Sequence, residues 1–113
     1  MKESPIQHLI LDYLAAEHIL AFRMNTGALP AGGDDGTKRR WVRFGVKGMA
    51  DILAFPHGSV LWIETKSTTG RLSGLQESFA RQVREAGHIY QPARALEPVI
   101  EAICLARVGE YIR

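Results

Sequence analysis

The chain has 113 residues, of which 46% are hydrophobic and 23% charged, with a formal net charge of +2. This is the composition of one globular domain spanning residues 1–113, and it excludes a disordered tail, a repeat array or a second domain. A lone cysteine, Cys104, in an apolar run excludes a disulfide framework, so a reducing, cytoplasmic location is expected, and no segment has the apolar length of a signal peptide or membrane span.

Ser4 followed by Pro5 is a helix start, with a capping hydroxyl and a proline suited to the first turn. Ile6, Leu9, Ile10, Tyr13 and Leu14 then recur at helical spacing, which predicts a helix with one buried face to about Glu17. Residues 19–25, Ile-Leu-Ala-Phe-Arg-Met-Asn, read as a strand. The Gly-, Pro- and Asp-rich stretch from Thr26 to Thr37 reads as a long loop, and loops of that length are often functional.

From Lys38 to Lys47 the chain reads K-R-R-W-V-R-F-G-V-K, with no acid. Lys38, Arg39, Arg40, Arg43 and Lys47 alternate with Trp41 and Phe44, a mixture that meets phosphates electrostatically and stacks on an unpaired base. The alternative is a charged edge strand that discourages aggregation.

Trp41 to Val46, Ala50 to Phe55 and Val60 to Lys66 read as strands, the last two joined through Pro56-His57-Gly58-Ser59. A helix is predicted from Leu72 to about Ala86 with Gly87 as its stop, then a short strand, His88 to Pro92. A closing helix carries Leu96, Val99, Ile100 and Ile103 on one face and becomes regular near Pro98. Helix, three or four strands, helix, strand, helix is the order of an α/β protein with a mixed β-sheet flanked by helices.

The central hairpin carries charge among residues suited to a core. With a four-residue turn, Phe55 pairs with Val60 and Asp51 falls opposite Glu64, their Cβ atoms about 4.5–5.5 Å apart on one face. Like charges so placed repel unless a divalent cation sits between them, and hard oxygen ligands suit Mg²⁺ or Mn²⁺. Lys66 shares that face and the Thr65 backbone carbonyl is a further oxygen ligand. Two carboxylates, a metal and a lysine suit phosphodiester hydrolysis, in which the metal activates water and the lysine orients it or offsets developing charge. A structural salt bridge is the alternative, with Lys66 on Asp51 and Glu64 facing solvent. The apolar runs on either side argue instead for strands buried on both faces.

Asp51, followed by Glu64-Thr65-Lys66 at the end of a hairpin, resembles the PD-(D/E)XK nuclease superfamily. Glu3, R-M-N-T-G-A at Arg23 to Ala28, G-M-A-D at Gly48 to Asp51, E-T-K, and Q-E-S-F at Gln76 to Phe79 together resemble the stand-alone virus-type replication-repair nuclease (VRR-NUC) domain. The resemblance implies a restriction-endonuclease-like αβα core, Mg²⁺- or Mn²⁺-dependent DNA cleavage, and a homodimer acting on branched DNA such as four-way junctions. By the same likeness Asp51 and Glu64 ligate metal, Lys66 is catalytic, Gln76 supports the site, and Glu3 matches a first-helix acid although it precedes the Ser-Pro start. Ala50 stands where the superfamily name has proline, and His8, His18, His57 and His88 have no ligand spacing. Asn25 is a further DNA-contact candidate, with turn closure as the alternative. A non-catalytic nucleic-acid-binding module and a sequence-specific restriction-type enzyme are the competing functional readings.

Overall fold

The computed structural model describes residues 3–24, 28–31, 40–43 and 46–111. Helix α1 (Glu3–Ala16) is followed by strands β1 (Ala21–Arg23), β2 (Ala28–Ala31), β3 (Arg40–Arg43), β4 (Ile52–Ala54) and β5 (Leu61–Thr65). Helix α2 (Gly74–Glu85), strand β6 (Ile89–Ala93) and helix α3 (Glu97–Tyr111) complete the order. The protein is α/β: a four-stranded mixed sheet, ordered β1-β4-β5-β6, is flanked by three helices in an arrangement compatible with an αβα core. β1 with β4 and β4 with β5 are antiparallel pairs, whereas β5 and β6 are parallel and joined through α2.

Period-two alternation along β5 sorts its residues between two layers. Leu61 and Ile63 join Ile52, Ala54 and Ala93 under α1 and α3, whose Ile6, Ile10, Leu14, Val99, Ala102 and Ile103 close the larger apolar cluster. On the opposite face, Trp62 and Tyr90 meet Phe79, Ala80 and Val83 of α2 with Ala50. Edge-to-face ring contacts order this smaller cluster, with Trp62–Phe79 centroids 5.0 Å apart and Phe79–Tyr90 centroids 6.2 Å apart.

Several expectations change. The helix begins at Glu3, one residue before the Ser-Pro signal, so Glu3 lies inside α1. Within the expected loop from Thr26 to Thr37, Ala28–Ala31 is a strand that pairs with β3 in a separate two-stranded sheet, Pro30 standing opposite Trp41. Both strands of a two-stranded ribbon are edges, so a proline that a central strand would reject is accepted there. The rest of that loop lies outside the described residues.

The hairpin strands are not buried throughout on both faces: Leu53 and Trp62 are half-exposed and Phe55 is exposed. The smaller cluster under α2 involves Trp62 and Tyr90 and does not extend to β1 or β4. α2 itself starts at Gly74 rather than Leu72, because Ser73 is its N-cap, and Gly87 ends it at φ +85° as expected.

Candidate active site at the end of the hairpin

The ladder pairs Ile52 with Ile63, Leu53 with Trp62 and Ala54 with Leu61, so one further step places Asp51 opposite Glu64. Met24 N–H donates to the Asp51 carbonyl at 2.7 Å, which ties this end of the hairpin to the residue after β1.

Asp51 is held by Thr65. The Thr65 N–H and hydroxyl both donate to Asp51 Oδ2, at 2.9 and 2.6 Å. Backbone polar groups alternate along β5, so Lys66 N–H bonds the Ala93 carbonyl on one side while Thr65 N–H turns to the other. The Asp51 carboxylate therefore stands where a further β4 carbonyl would continue the ladder. N–H and C=O of one strand residue point to the same side, so the Thr65 carbonyl also turns toward Asp51. Gln7 Nε2 of α1 reaches Thr65 Oγ1 at 3.5 Å, and Glu3 stands one turn earlier on that helix.

Glu64 is only 2% exposed. Its Oε1 accepts a hydrogen bond from Gln76 Nε2 at 2.8 Å and lies 4.0 Å from Lys66 Nζ, on a side chain 12% exposed. Gln76 is oriented by its own helix: its Oε1 accepts from Ser73 N–H at 2.9 Å while Gln76 N–H donates to Ser73 Oγ at 3.2 Å. This capping box turns the amide oxygen to the cap and leaves the NH₂ for Glu64. The arrangement does not match the simple salt-bridge alternative, in which Glu64 faced solvent.

Gly48 docks the approach to Asp51 on the same helix end. At its φ of +83°, an added Cβ would lie 2.4 Å from the Leu75 carbonyl oxygen and 3.0 Å from Gln76 N. A side chain there would push α2, and Gln76 with it, away from Glu64.

Tyr90 lies behind the carboxylates. Its hydroxyl is buried with no hydrogen-bond partner among the described residues. Burial raises its pKa, and Glu64 and then Asp51 raise it further, while the Arg84 guanidinium, 5.4 Å over the ring, opposes them. The phenol stays neutral in a field the two carboxylates make negative.

These groups fit a hard divalent cation. Asp51, Glu64 and the Thr65 carbonyl are oxygen donors, and a cation held between the two carboxylates would offset their mutual repulsion. Among the described residues no group of three or more His, Cys, Asp or Glu side chains gathers in one place, so the donor set rests on two carboxylates and backbone.

The remaining candidates are placed unequally. Lys47 is exposed on the turn before Gly48. Arg40 and Arg43 begin and end β3, where only the backbone is described. Asn25, Lys38 and Arg39, and the side chain of Glu3, lie outside the described residues. Sequence reading missed Ser73, the Thr65 hydroxyl, Gln7, Gly48 as a packing residue and Tyr90. Only Ser73 had a local signal, the S-x-x-Q spacing of a capping box.

No family model matches the chain, and no curated protein or solved structure gives a significant match. Among the described residues no helix is long and apolar enough to cross a membrane.

Proposed function

We propose that the protein is a Mg²⁺- or Mn²⁺-dependent endodeoxyribonuclease of the VRR-NUC type, acting as a homodimer on branched DNA such as four-way junctions. The observation that carries this reading is Glu64: a carboxylate 2% exposed, held by Gln76 and Lys66, and opposite Asp51 one step beyond the Ile52–Ile63 pair. Burying a carboxylate is costly, and an apolar residue would serve the fold better at that position.

In this reading Asp51, Glu64 and the Thr65 carbonyl hold the cation, which when bound supplies Lewis acidity and a water of lowered pKa. Thr65 fixes Asp51 with two hydrogen bonds, and the α2 cap fixes Glu64 through Gln76, so neither carboxylate reorganises as charge develops. Lys66 presents its ammonium beside Glu64, where it orients the attacking water and offsets charge on the phosphoryl oxygens. Lys38, Arg39, Arg40, Arg43, Lys47 and Asn25 are proposed to track the DNA strand, and Glu3 to assist at the metal.

Purified protein incubated with duplex, flap and four-way-junction DNA of several sequences, with Mg²⁺, Mn²⁺ or chelator, tests this. Paired incision of the junction, lost on chelation, with a dimer in sedimentation, is expected. Binding without cleavage under every condition would favour a non-catalytic module. Cutting of linear duplex at one sequence by a monomer would favour a restriction-type enzyme.

A further inference from the structure

Past Lys66 the chain reads Ser-Thr-Thr-Gly-Arg, and from Thr65 to Gln76 it contains no acidic residue. Gly70 N–H donates to the Ser67 carbonyl at 3.2 Å, closing a tight turn that exposes Thr68 and Thr69. A Cβ added at Gly70 would sit 2.9 Å from Ser67 Oγ and 3.5 Å from Lys66 Cδ, so the turn packs on the stem of that lysine. Arg94, just past the end of β6, donates from Nη2 to the Gly70 carbonyl. The Arg71 side chain follows immediately and is exposed, as is Arg94.

Three cations therefore gather where the parallel strands β5 and β6 end, two of them in solvent and one beside Glu64. One carbonyl does not exhaust the donors of a guanidinium, which retains forked N–H groups suited to a phosphate. Exposed threonine hydroxyls add neutral donors of the kind that contact a nucleic-acid backbone.

We propose that the turn from Ser67 to Arg71, clasped by Arg94, is a second phosphate-binding element. Arg71 and Arg94 hold backbone phosphates of the nucleic-acid strand next to the one brought to Glu64 and Lys66. The assignment rests on the nuclease reading above but uses none of the Lys38 to Lys47 run. Guanidinium–phosphate contacts position the strand without reading sequence, so the element acts equally on every sequence.

The test is equilibrium binding of fluorescent duplex and four-way-junction DNA, without divalent metal so that nothing is cut, across a salt series. Arg71→Ala and Arg94→Ala are each expected to weaken binding about fivefold at about 0.15 M salt and to lower the salt slope by about one. The double variant should lower the slope by about two. Melting temperatures are compared in parallel; should Arg94→Ala loosen the fold, Arg71→Ala, altering an exposed side chain, decides. Wild-type binding with unchanged affinity and slope in both variants would overturn this element and leave the nuclease reading standing. Failure of the wild-type protein to bind any DNA would overturn both.

Discussion

On one face of β5 stand Leu61, Ile63 and Thr65; on the other stand Trp62 and Glu64, with Lys66 just past the end of the strand. The first set lies under α1 and α3, where apolar side chains close the larger cluster and the one polar member, Thr65, spends its donors on Asp51. The second set lies beside α2 alone. Aromatic contacts fill the near end of that face, and at the far end the polar N-terminus of α2 delivers Gln76 to Glu64. A face covered by the sides of two helices offers mainly apolar side chains, whereas a helix end has polar groups of its own to offer. The buried charge stands where a helix begins.

The largest effect expected of this contrast is on activity. Asp51→Asn, Glu64→Gln and Lys66→Ala should each lower cleavage by at least about a hundredfold. Glu64→Gln should leave the melting temperature close to that of the wild type, since an amide of the same shape still accepts from Gln76 and relief of repulsion from Asp51 offsets the lost pairing with Lys66. Wild-type turnover in any of the three would show the site misassigned. One residue away on the opposite face, Ile63→Ala should behave in the reverse manner, losing about 2–5 kcal/mol in denaturant unfolding through a cavity in the larger cluster. A loss well below that range would mean that the two-helix face is not the principal store of stability.

Gly48→Ala should couple the two properties. Strain at positive φ and the clash with Leu75 are expected to cost about 1–3 kcal/mol, read from urea midpoints. Cleavage should fall as well, because Gln76 moves with the helix end, and a variant with full activity would dissociate Gly48 from the site.

The smallest effect is expected at Tyr90→Phe. Removing a buried hydroxyl that has no partner should change stability by no more than about 1 kcal/mol at neutral pH. Because the folded-state pKa is raised, the tyrosine's contribution is complete below its unfolded pKa of about 10 and is lost as pH rises above it. Relative to wild type, the phenylalanine variant should therefore gain stability only above about pH 10, as read from urea midpoints. A marked loss at neutral pH would show that the hydroxyl supports the carboxylates.

Much of this was legible along the chain. Ile6, Ile10 and Leu14 repeat at the spacing of one helical face, and the turn at Pro56 to Ser59 sets a register that brings Asp51 and Glu64 opposite each other. A hairpin with a short turn admits few registers, and a slip of one residue would turn Ile52 and Ile63 out of the core. The strand at Ala28–Ala31 was not legible, because its proline and its Gly- and Asp-rich surroundings are local signals for a loop and its pairing with β3 is not local.

Local periodicity and turn chemistry in the sequence thus determined the helices and the strands of the four-stranded sheet, which of their faces are apolar, and which charged residues meet at the hairpin's end. The tertiary structure alone decided what holds those charges: Thr65 on Asp51, Gln76 on Glu64, Gly48 against the start of α2, and Tyr90 behind the pair. The division has a physical cause. Spacing along a strand or helix is set by backbone geometry that each short segment carries by itself. Which amide reaches which carboxylate depends on how α2 packs across the sheet, and that is settled only when residues distant in sequence come together.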